Sequence, residues 1–385
     1  MSQITAAEAR ASADEAKVVI DCLMAKAKSA MEAFENADQE TVDEAVTALA
    51  WSIYEPARAR KLAETAVRDT GLGNVESKVI KNMRKTFGCL RDLMRVRSVG
   101  IIEERPEKGL VLYAKPIGVV AAVAPSTNPA ATPVNKAMMA VKGRNAVIVA
   151  PSPAGLSTTS QTVEYMRDEL RKVGAPEDLV QVLPAPVNKT LTQELMNQAD
   201  LIVVTGSQNN VRRAYSSGTP AIGVGAGNVP VIIDSTADLQ DAAKKIMMSK
   251  CFDNATSCSS ENSVTILDDV YEDAIQALKN AGGYLVTSEE KQKILDTLWV
   301  DGHLNRHVIA KDPDVLAEHC GLSEEAKSAK FFLVEDQNGV GEDYPLSDEK
   351  LSLVLTVYRA MNFSEAKRHV QNVLDFVGMG HSVGI

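Results

Sequence analysis

The chain has 385 residues, 41 Lys+Arg against 51 Asp+Glu and a formal charge of −10. That length accommodates two or three domains of ~150 residues and a core that needs no disulfide or metal staple. The acidic balance and the lack of any dense Lys/Arg run argue against nucleic acid as a partner, and no run reaches the ~20 apolar residues that span a bilayer. The N-terminus has no apolar signal core, so the expectation is a soluble, cytoplasmic protein with no membrane partner. Hydrophobic residues make up 45% and aromatics only 4%, so the core is built from Ala, Val, Ile, Leu and the 13 Met, the usage of buried parallel sheets and helices.

From Ile4 to about Arg68 the pattern is helical, Ala-rich with apolar residues every three or four positions. Thr41 and Glu44 read as a capping box opening a second helix that stops near Gly71 and Gly73. This stretch reads as helices packed on a larger domain, with a microcompartment-targeting arm as the second reading. From Val111 short β-branched runs alternate with amphipathic helices. VLYA, GVVAAVAP, NAVIVAPSP, LVQVLP, LIVVTGS and VPVIID are expected strands. LSTTSQTVEYMRDELRKVG, TLTQELMNQAD and QNNVRRAYSS are expected helices. Such alternation forces a parallel sheet with right-handed crossovers, with ligands at the C-terminal strand ends. After Asp234 the rhythm restarts with helix TADLQDAAKKIMMSK, a polar turn, strand SVTILD and helix DVYEDAIQALKNAGG; later strands are HVIA, KFFLVE and LVLTVYRA. The expectation is α/β throughout: residues 1–240 carry the N-terminal helices and a dinucleotide-binding domain, and 241–385 form a second domain, with a cleft between the two.

The five cysteines (Cys22, Cys89, Cys251, Cys258, Cys320) lack C-x-x-C spacing, which disfavours a disulfide framework and a zinc site. Nor do the five histidines form a ligand cluster, so no metal is expected. GVGAGN (Gly223–Asn228) is not a dinucleotide fingerprint, because it leads into a strand rather than a helix and ends on Asn228. Three glycines in five residues indicate a backbone passing close to something. Cys258 sits in a Ser/Thr/Asn-rich turn between a helix and a strand; reactive thiol and ordinary loop cysteine are both open on the residues alone. Asn128, fenced by prolines in VAPSTNPAATP, reads either as an oxyanion donor or as a turn former. Thr205, Gly206 and Ser207 end a strand and open a helix, where backbone amides meet a pyrophosphate.

Taken together, these segments resemble the CoA-acylating branch of the aldehyde dehydrogenase family, from about Thr41 to the C-terminus. PSTNPAATP is similar to that family's oxyanion-asparagine segment, KGRNAVIVAPSP to its adenosine-side strand, and TGSQNNVRRAYSSGTPAIGVGAGN to its cofactor helix and glycine loop. FDNATSCSSENSV resembles the catalytic-cysteine segment, EKLSLVLTVYRAMNFSEA the strand whose glutamate faces the nicotinamide ribose, and GMGHSVGI the glycine-histidine strand that follows.

The resemblance implies an aldehyde-dehydrogenase-like fold, two open parallel-sheet α/β domains with the active site in the cleft. It makes Cys258 the nucleophile and Asn128 the oxyanion donor. It places NAD or NADP against Ser126, Thr127, Ala150, Pro151, Ser152, Thr205, Gly206, Ser207, Val211, Gly223, Val224, Gly225, Glu349 and Leu351. Hydrolytic relatives carry a water-activating glutamate in the glycine loop. GVGAGN has no carboxylate, so the acyl group passes to coenzyme A. No acid follows Pro151, so NADP is not excluded. The segments look closest to sulfoacetaldehyde dehydrogenases, then succinate-semialdehyde dehydrogenases, with acetaldehyde a further alternative. For an anionic aldehyde, Arg212, Arg213 and His381 are the candidate contacts. A dead-site binding protein with this fold is the rival reading. The family assembles through a protruding hairpin, so a homo-oligomer is expected, with Ile101–Tyr113 as one strand pair. The family's chain also continues past the glycine-histidine strand, so the first domain's returning segment is expected to be absent from these 385 residues.

Overall fold

The computed structural model describes residues 6–337, 339–379 and 381–385; Ile4, where the helical pattern begins, and Gly380 of the glycine-histidine segment lie outside them. The chain forms two compact units. One comprises Lys78–Val224 with the chain up to Thr70; the other comprises Gly71–Ser77 with Gly225–Ile385.

The first unit opens with α1 (Ala6–Phe34), α2 (Gln39–Tyr54), α3 (Pro56–Thr70) and, from Lys78 onward, α4 (Val75–Leu93). The expected capping box at Thr41 and Glu44 is not the start of α2. Asp38 is the N-cap, its carboxylate accepting the Thr41 N–H at 2.8 Å. Charged Asp is at least as good a cap as Thr, and it lies one turn earlier. The helical stretch also breaks at Glu55, which is extended, because Pro56 disfavours a helical residue before it. Gly100–Arg105 (β1) and Leu110–Ala114 (β2) form the expected antiparallel pair.

The first sheet contains β3 (Val119–Val123), β4 (Ala146–Ala150), β5 (Val180–Val182), β6 (Leu201–Thr205) and β7 (Ala221–Val224), all parallel in the order β5-β4-β3-β6-β7. The crossovers are α5 (Ala131–Lys142), α6 (Leu156–Lys172), α7 (Lys189–Gln198) and α8 (Gln208–Tyr215). Every residue of β3 and β4 is buried, as expected of strands covered on both faces. Chain order reverses at β3, so the carboxyl ends of β3 and β6 form the switch point at which such sheets bind ligands. The first two residues of GVGAGN, Gly223 and Val224, belong to strand β7. A Cβ on Gly223 would stand 2.9 Å from Val211 Cγ1, so glycine there lets α8 lie close on the strand.

The second unit has a parallel sheet ordered β10-β13-β14-β9-β8. In chain order its elements are β8 (Val229–Ile233), α9 (Leu239–Cys251), β9 (Glu261–Leu267), α10 (Tyr271–Asn280), β10 (Gly283–Leu285), α11 (Ser288–Leu298), the hairpin β11 (Trp299–Val300) and β12 (His303–Leu304), α12 (Pro313–His319), α13 (Glu324–Lys327), β13 (Phe331–Glu335), β14 (Val354–Ala360) and α14 (Phe363–Val377). VPVIID, read with the first set of strands, pairs with β9 of this sheet. HVIA is no strand. Its backbone turns on Asn305, whose carbonyl accepts the Val308 and Ile309 N–H groups, and Ala310 is left-handed at φ 55°. Each unit has its own apolar core. Among the described residues no helix is long and apolar enough to cross a membrane.

Candidate active site

In the first unit the named residues gather at the carboxyl edge of the sheet. Ser126, Thr127 and Asn128 follow β3, Ala150 ends β4 with Pro151 and Ser152 behind it, Thr205 ends β6 with Gly206 and Ser207 behind it, and Val224 ends β7. The half-buried Asn128 is held from both sides. Lys78 Nζ donates to the Thr127 carbonyl at 3.2 Å, and Thr159 Oγ1 of α6 donates to the Pro129 carbonyl at 2.8 Å. Ser152 Oγ accepts the Gly155 N–H at 3.1 Å, capping the turn into α6. After β6, Gly206 takes φ 154° and donates to the Val224 carbonyl at 3.3 Å, and Ser207 caps α8. The result is a helix N-terminus directly beyond a strand end, the arrangement that receives a pyrophosphate.

Lys136, which the sequence reading passed over, lies beneath this edge. Its buried ammonium donates to the carbonyls of Val123 at 2.6 Å and Val203 at 2.9 Å, tying β3 to β6; burial pulls its pKa down to about 7. Of the two candidate arginines on α8, Arg213 is bound to α7, donating to Gln193 Oε1 at 3.0 Å and the Lys189 carbonyl at 2.7 Å, while Arg212 is exposed.

In the second unit the named residues occupy the amino edge of the sheet, in the loops entering the neighbouring strands β8, β9 and β14: Gly225 in the first, Cys258 in the second, Glu349 and Leu351 in the third. Cys258 is half-buried in a turn closed by the Ser260 N–H donating to the Ser257 carbonyl at 2.8 Å. Three successive left-handed residues, none of them glycine, precede it: Asp253 (φ 52°), Asn254 (φ 51°) and Ala255 (φ 61°). Each such residue costs on the order of 1–3 kcal/mol, and such strain persists only where the surroundings impose it. Here they do. Asp253 Oδ1 accepts the Asn74 N–H at 3.0 Å, Asp253 Oδ2 accepts the Thr256 hydroxyl at 2.5 Å, and Asn254 Nδ2 donates to Asp312 Oδ1 at 2.8 Å.

Beside this turn, the Glu349 carboxylate accepts the Gly227 N–H. Burial, together with the charge of Asp348, pushes its pKa up to about 7 against the lowering effect of that hydrogen bond, His381 and Lys250. Asn228 Nδ2 donates to the Ser347 carbonyl at 2.5 Å, pinning the glycine loop to the approach of β14. His381 stacks where a side chain on Gly227 would stand, and the chain beyond it bridges β8 through Gly384, whose N–H donates to the Pro230 carbonyl at 3.1 Å. Leu351 is left-handed at φ 43°, and its carbonyl accepts the Ala310 N–H at 2.7 Å.

The other thiols are in different settings. Burial pushes Cys251 up to about 11 and also raises Cys320, whereas Cys22 is exposed. Iodoacetamide at pH 8 is therefore expected to label Cys258 and Cys22 and to spare Cys251 and Cys320 in peptide mass maps. Labelling of Cys251 ahead of Cys258 would contradict this placement.

The chain matches the aldehyde dehydrogenase family over residues 3–293. It is 51% identical over 373 residues to the sulfoacetaldehyde dehydrogenase (acylating) of Cupriavidus necator, covering 97% of this chain and 76% of that protein. It is 39% identical to the succinate-semialdehyde dehydrogenase (acetylating) of Clostridium kluyveri, covering 96% and 81% of the two chains. Among solved structures, an acetylating aldehyde dehydrogenase from Geobacillus thermoglucosidasius superimposes with a TM-score of 0.92 at 36% identity, covering 97% and 82%.

Proposed function

Because the chain belongs to the aldehyde dehydrogenase family and to its CoA-acylating branch, we propose that it oxidises sulfoacetaldehyde to the corresponding acyl-CoA, reversibly, with NAD or NADP as cofactor. The observation that carries this reading is a nucleophile turn, braced around Cys258, at the same sheet edge as a glycine loop that contains no carboxylate to activate water.

Cys258 thiolate attacks the aldehyde carbon, and the Asn128 amide with the Cys258 N–H receives the developing oxyanion. Bound NAD(P)+ supplies the hydride acceptor. Loss of the hydride leaves the acyl group on Cys258 as a thioester, and the thiol of CoA then attacks that carbonyl, expels the Cys258 thiolate and gives up its proton. One thioester replaces another, so the sequence runs in both directions. Ser126, Thr127, Ala150, Pro151 and Ser152 fit the adenosine side. Thr205, Gly206 and Ser207 fit the pyrophosphate by their backbone amides, with Val211, Gly223, Val224 and Gly225 along the approach. Glu349 and Leu351 fit the nicotinamide ribose. The absence of an acid after Pro151 leaves room for a 2′-phosphate.

An anionic aldehyde calls for positive charge near its carbonyl, because sulfoacetaldehyde carries its sulfonate one methylene away. The buried Lys78 ammonium at the Thr127 carbonyl, next to Asn128, supplies charge at that loop. Arg213 is the weaker candidate, since α7 already holds it. The test is NAD(P) reduction with sulfoacetaldehyde, succinic semialdehyde and acetaldehyde, each with and without CoA. Fastest turnover is expected with sulfoacetaldehyde and none without CoA. Preference for acetaldehyde would remove the anionic substrate, and acid formed without CoA would remove the acyl transfer.

A further inference from the structure

The carboxyl edge of the second sheet lies opposite the edge that carries Cys258. A cavity of about 230 Å³ opens there, lined by Tyr358 and Ala360 of β14, Arg368, His369 and Asn372 of α14, and Gln337 just beyond β13. β14 has seven residues, so the two edges stand about 20 Å apart at ~3.3 Å per residue. None of the residues named for the nucleophile, the cofactor or the aldehyde lines this cavity. In open parallel sheets the carboxyl ends of the strands are where ligands bind.

Alternation along β14 divides its side chains. Arg359 faces α10 and the turn before it, where its guanidinium donates to Asp268 Oδ1 at 2.5 Å and Glu272 Oε1 at 3.3 Å and lies over the Tyr271 ring. Tyr358 and Ala360 face α14, and the Tyr358 ring packs on that of His369 with centroids 4.1 Å apart. Tyr358 is 2% exposed, yet its hydroxyl has no hydrogen-bond partner among the described residues, and neither has the buried Nε2 of His369. A phenylalanine would fill the same space without an unpaired hydroxyl. Two such groups lining one cavity suit a ligand that brings its own oxygen atoms.

The charges around them favour an anion. The charged or titratable groups about His369 are Glu365 and Arg368 on its own helix, Tyr358 and Arg359 on β14, and Asp336 beyond β13. Both acids are already engaged: Asp336 accepts from the Lys291 ammonium at 3.0 Å, and Glu365 accepts the Met361 N–H at 2.8 Å. Arg368, by contrast, stands at the exposed rim with its guanidinium 3.7 Å from Glu365. Gln337 turns its oxygen to the Arg359 N–H at 3.4 Å, which leaves its amide nitrogen as a donor. The volume falls below the ~300–1,000 Å³ of sites for drug-sized ligands, which excludes a nucleotide.

We propose that this cavity is a second binding site, separate from the catalytic edge, for a small organic monoanion, a carboxylate or sulfonate whose oxygens accept from the Tyr358 hydroxyl and His369 Nε2 while Arg368 closes over the rim. Burial holds the imidazole below its ordinary pKa. A bound anion raises it again, so binding takes up a proton and tightens as the pH falls.

The test is saturation-transfer NMR on the whole chain, with propanoate and propane-1-sulfonate as probes and butan-1-ol as their uncharged counterpart. Saturable binding of at least one anion is expected, tighter at pH 6 than at pH 8 and roughly tenfold tighter than that of the alcohol. The tighter anion identifies the head group. Y358F and R368Q are each expected to weaken it roughly fivefold, and H369Q to remove its pH dependence. Anion binding that all three variants leave unchanged comes from elsewhere in the chain and overturns the proposal, as does the lack of saturable binding by either anion. An alcohol bound as tightly as the anions removes the charge assignment and the proposal with it. If Y358F does not fold, R368Q at the exposed rim decides: an unchanged affinity overturns the site.

Discussion

Cys258→Ser is expected to lose at least ~10³-fold of CoA-dependent aldehyde oxidation, because a serine hydroxyl at neutral pH is a far weaker nucleophile than a thiolate. The thiol lies in a partly exposed turn whose legs are fixed by the Asn74, Thr256 and Asp312 contacts, so the replacement leaves the supporting structure unchanged. Thermal unfolding should move by no more than a surface substitution does, about ±0.5 kcal/mol. Burst-phase NAD(P)H release separates the steps: wild type should release one equivalent per site before CoA is added, and the variant none. A variant with near-native turnover would end the covalent mechanism.

Gly227→Ala is expected to disturb the site by steric overlap. A Cβ at this position would run into the His381 ring, and the backbone N–H of the same residue serves the Glu349 carboxylate. Overpacking of this kind costs about 1–3 kcal/mol. Losing a hydrogen bond to a charged group adds a comparable amount, so cofactor affinity should fall by roughly tenfold or more. The companion His381→Ala makes the prediction sharper. If the ring is the obstacle, the double variant Gly227→Ala/His381→Ala should recover most of the unfolding free energy in urea titrations. Equal losses in the single and double variants would place the strain elsewhere.

Much of this architecture can be read in the residues. The runs VVAAV and AVIVA need two covered faces, and the helical spacing between them leaves a parallel sheet as the only way to supply them. The capping of α2 was misplaced because two acceptors of similar strength, Asp38 and Thr41, stand one turn apart and local sequence does not rank them. HVIA has strand composition, but the left-handed Ala310 and the Asn305 turn decide its conformation. AIGV is only four residues long, with Gly223 inside it and Gly225 and Gly227 close behind, too short a run to declare itself a strand.

Among the candidate residues, Cys258, Asn128 and Glu349 stand out by their neighbours in sequence. Their supports do not. Asn74 reaches Asp253 across 179 positions, and Lys78, Lys136 and Lys250 sit in helices where a lysine ordinarily signals an exposed face. Only burial distinguishes them, and burial is a property of the folded chain.

Strand direction gives the second unit a further constraint. In a parallel sheet with helical crossovers, helices start at the carboxyl edge and finish at the amino edge, so the edge that carries Cys258 receives helix ends: α9 terminates at Cys251, seven residues short of Cys258. A helix presents roughly half a negative charge at that end. The backbone field at this edge therefore opposes a thiolate and an oxyanion, unlike a helix start, which would welcome them. Any cationic character must be brought in by side chains, and two lysines with no exposed surface, Lys250 and Lys350, are lodged there. The polarity of the sheet thus favours two basic side chains in an interior whose burial draws their ammonium groups towards the neutral form.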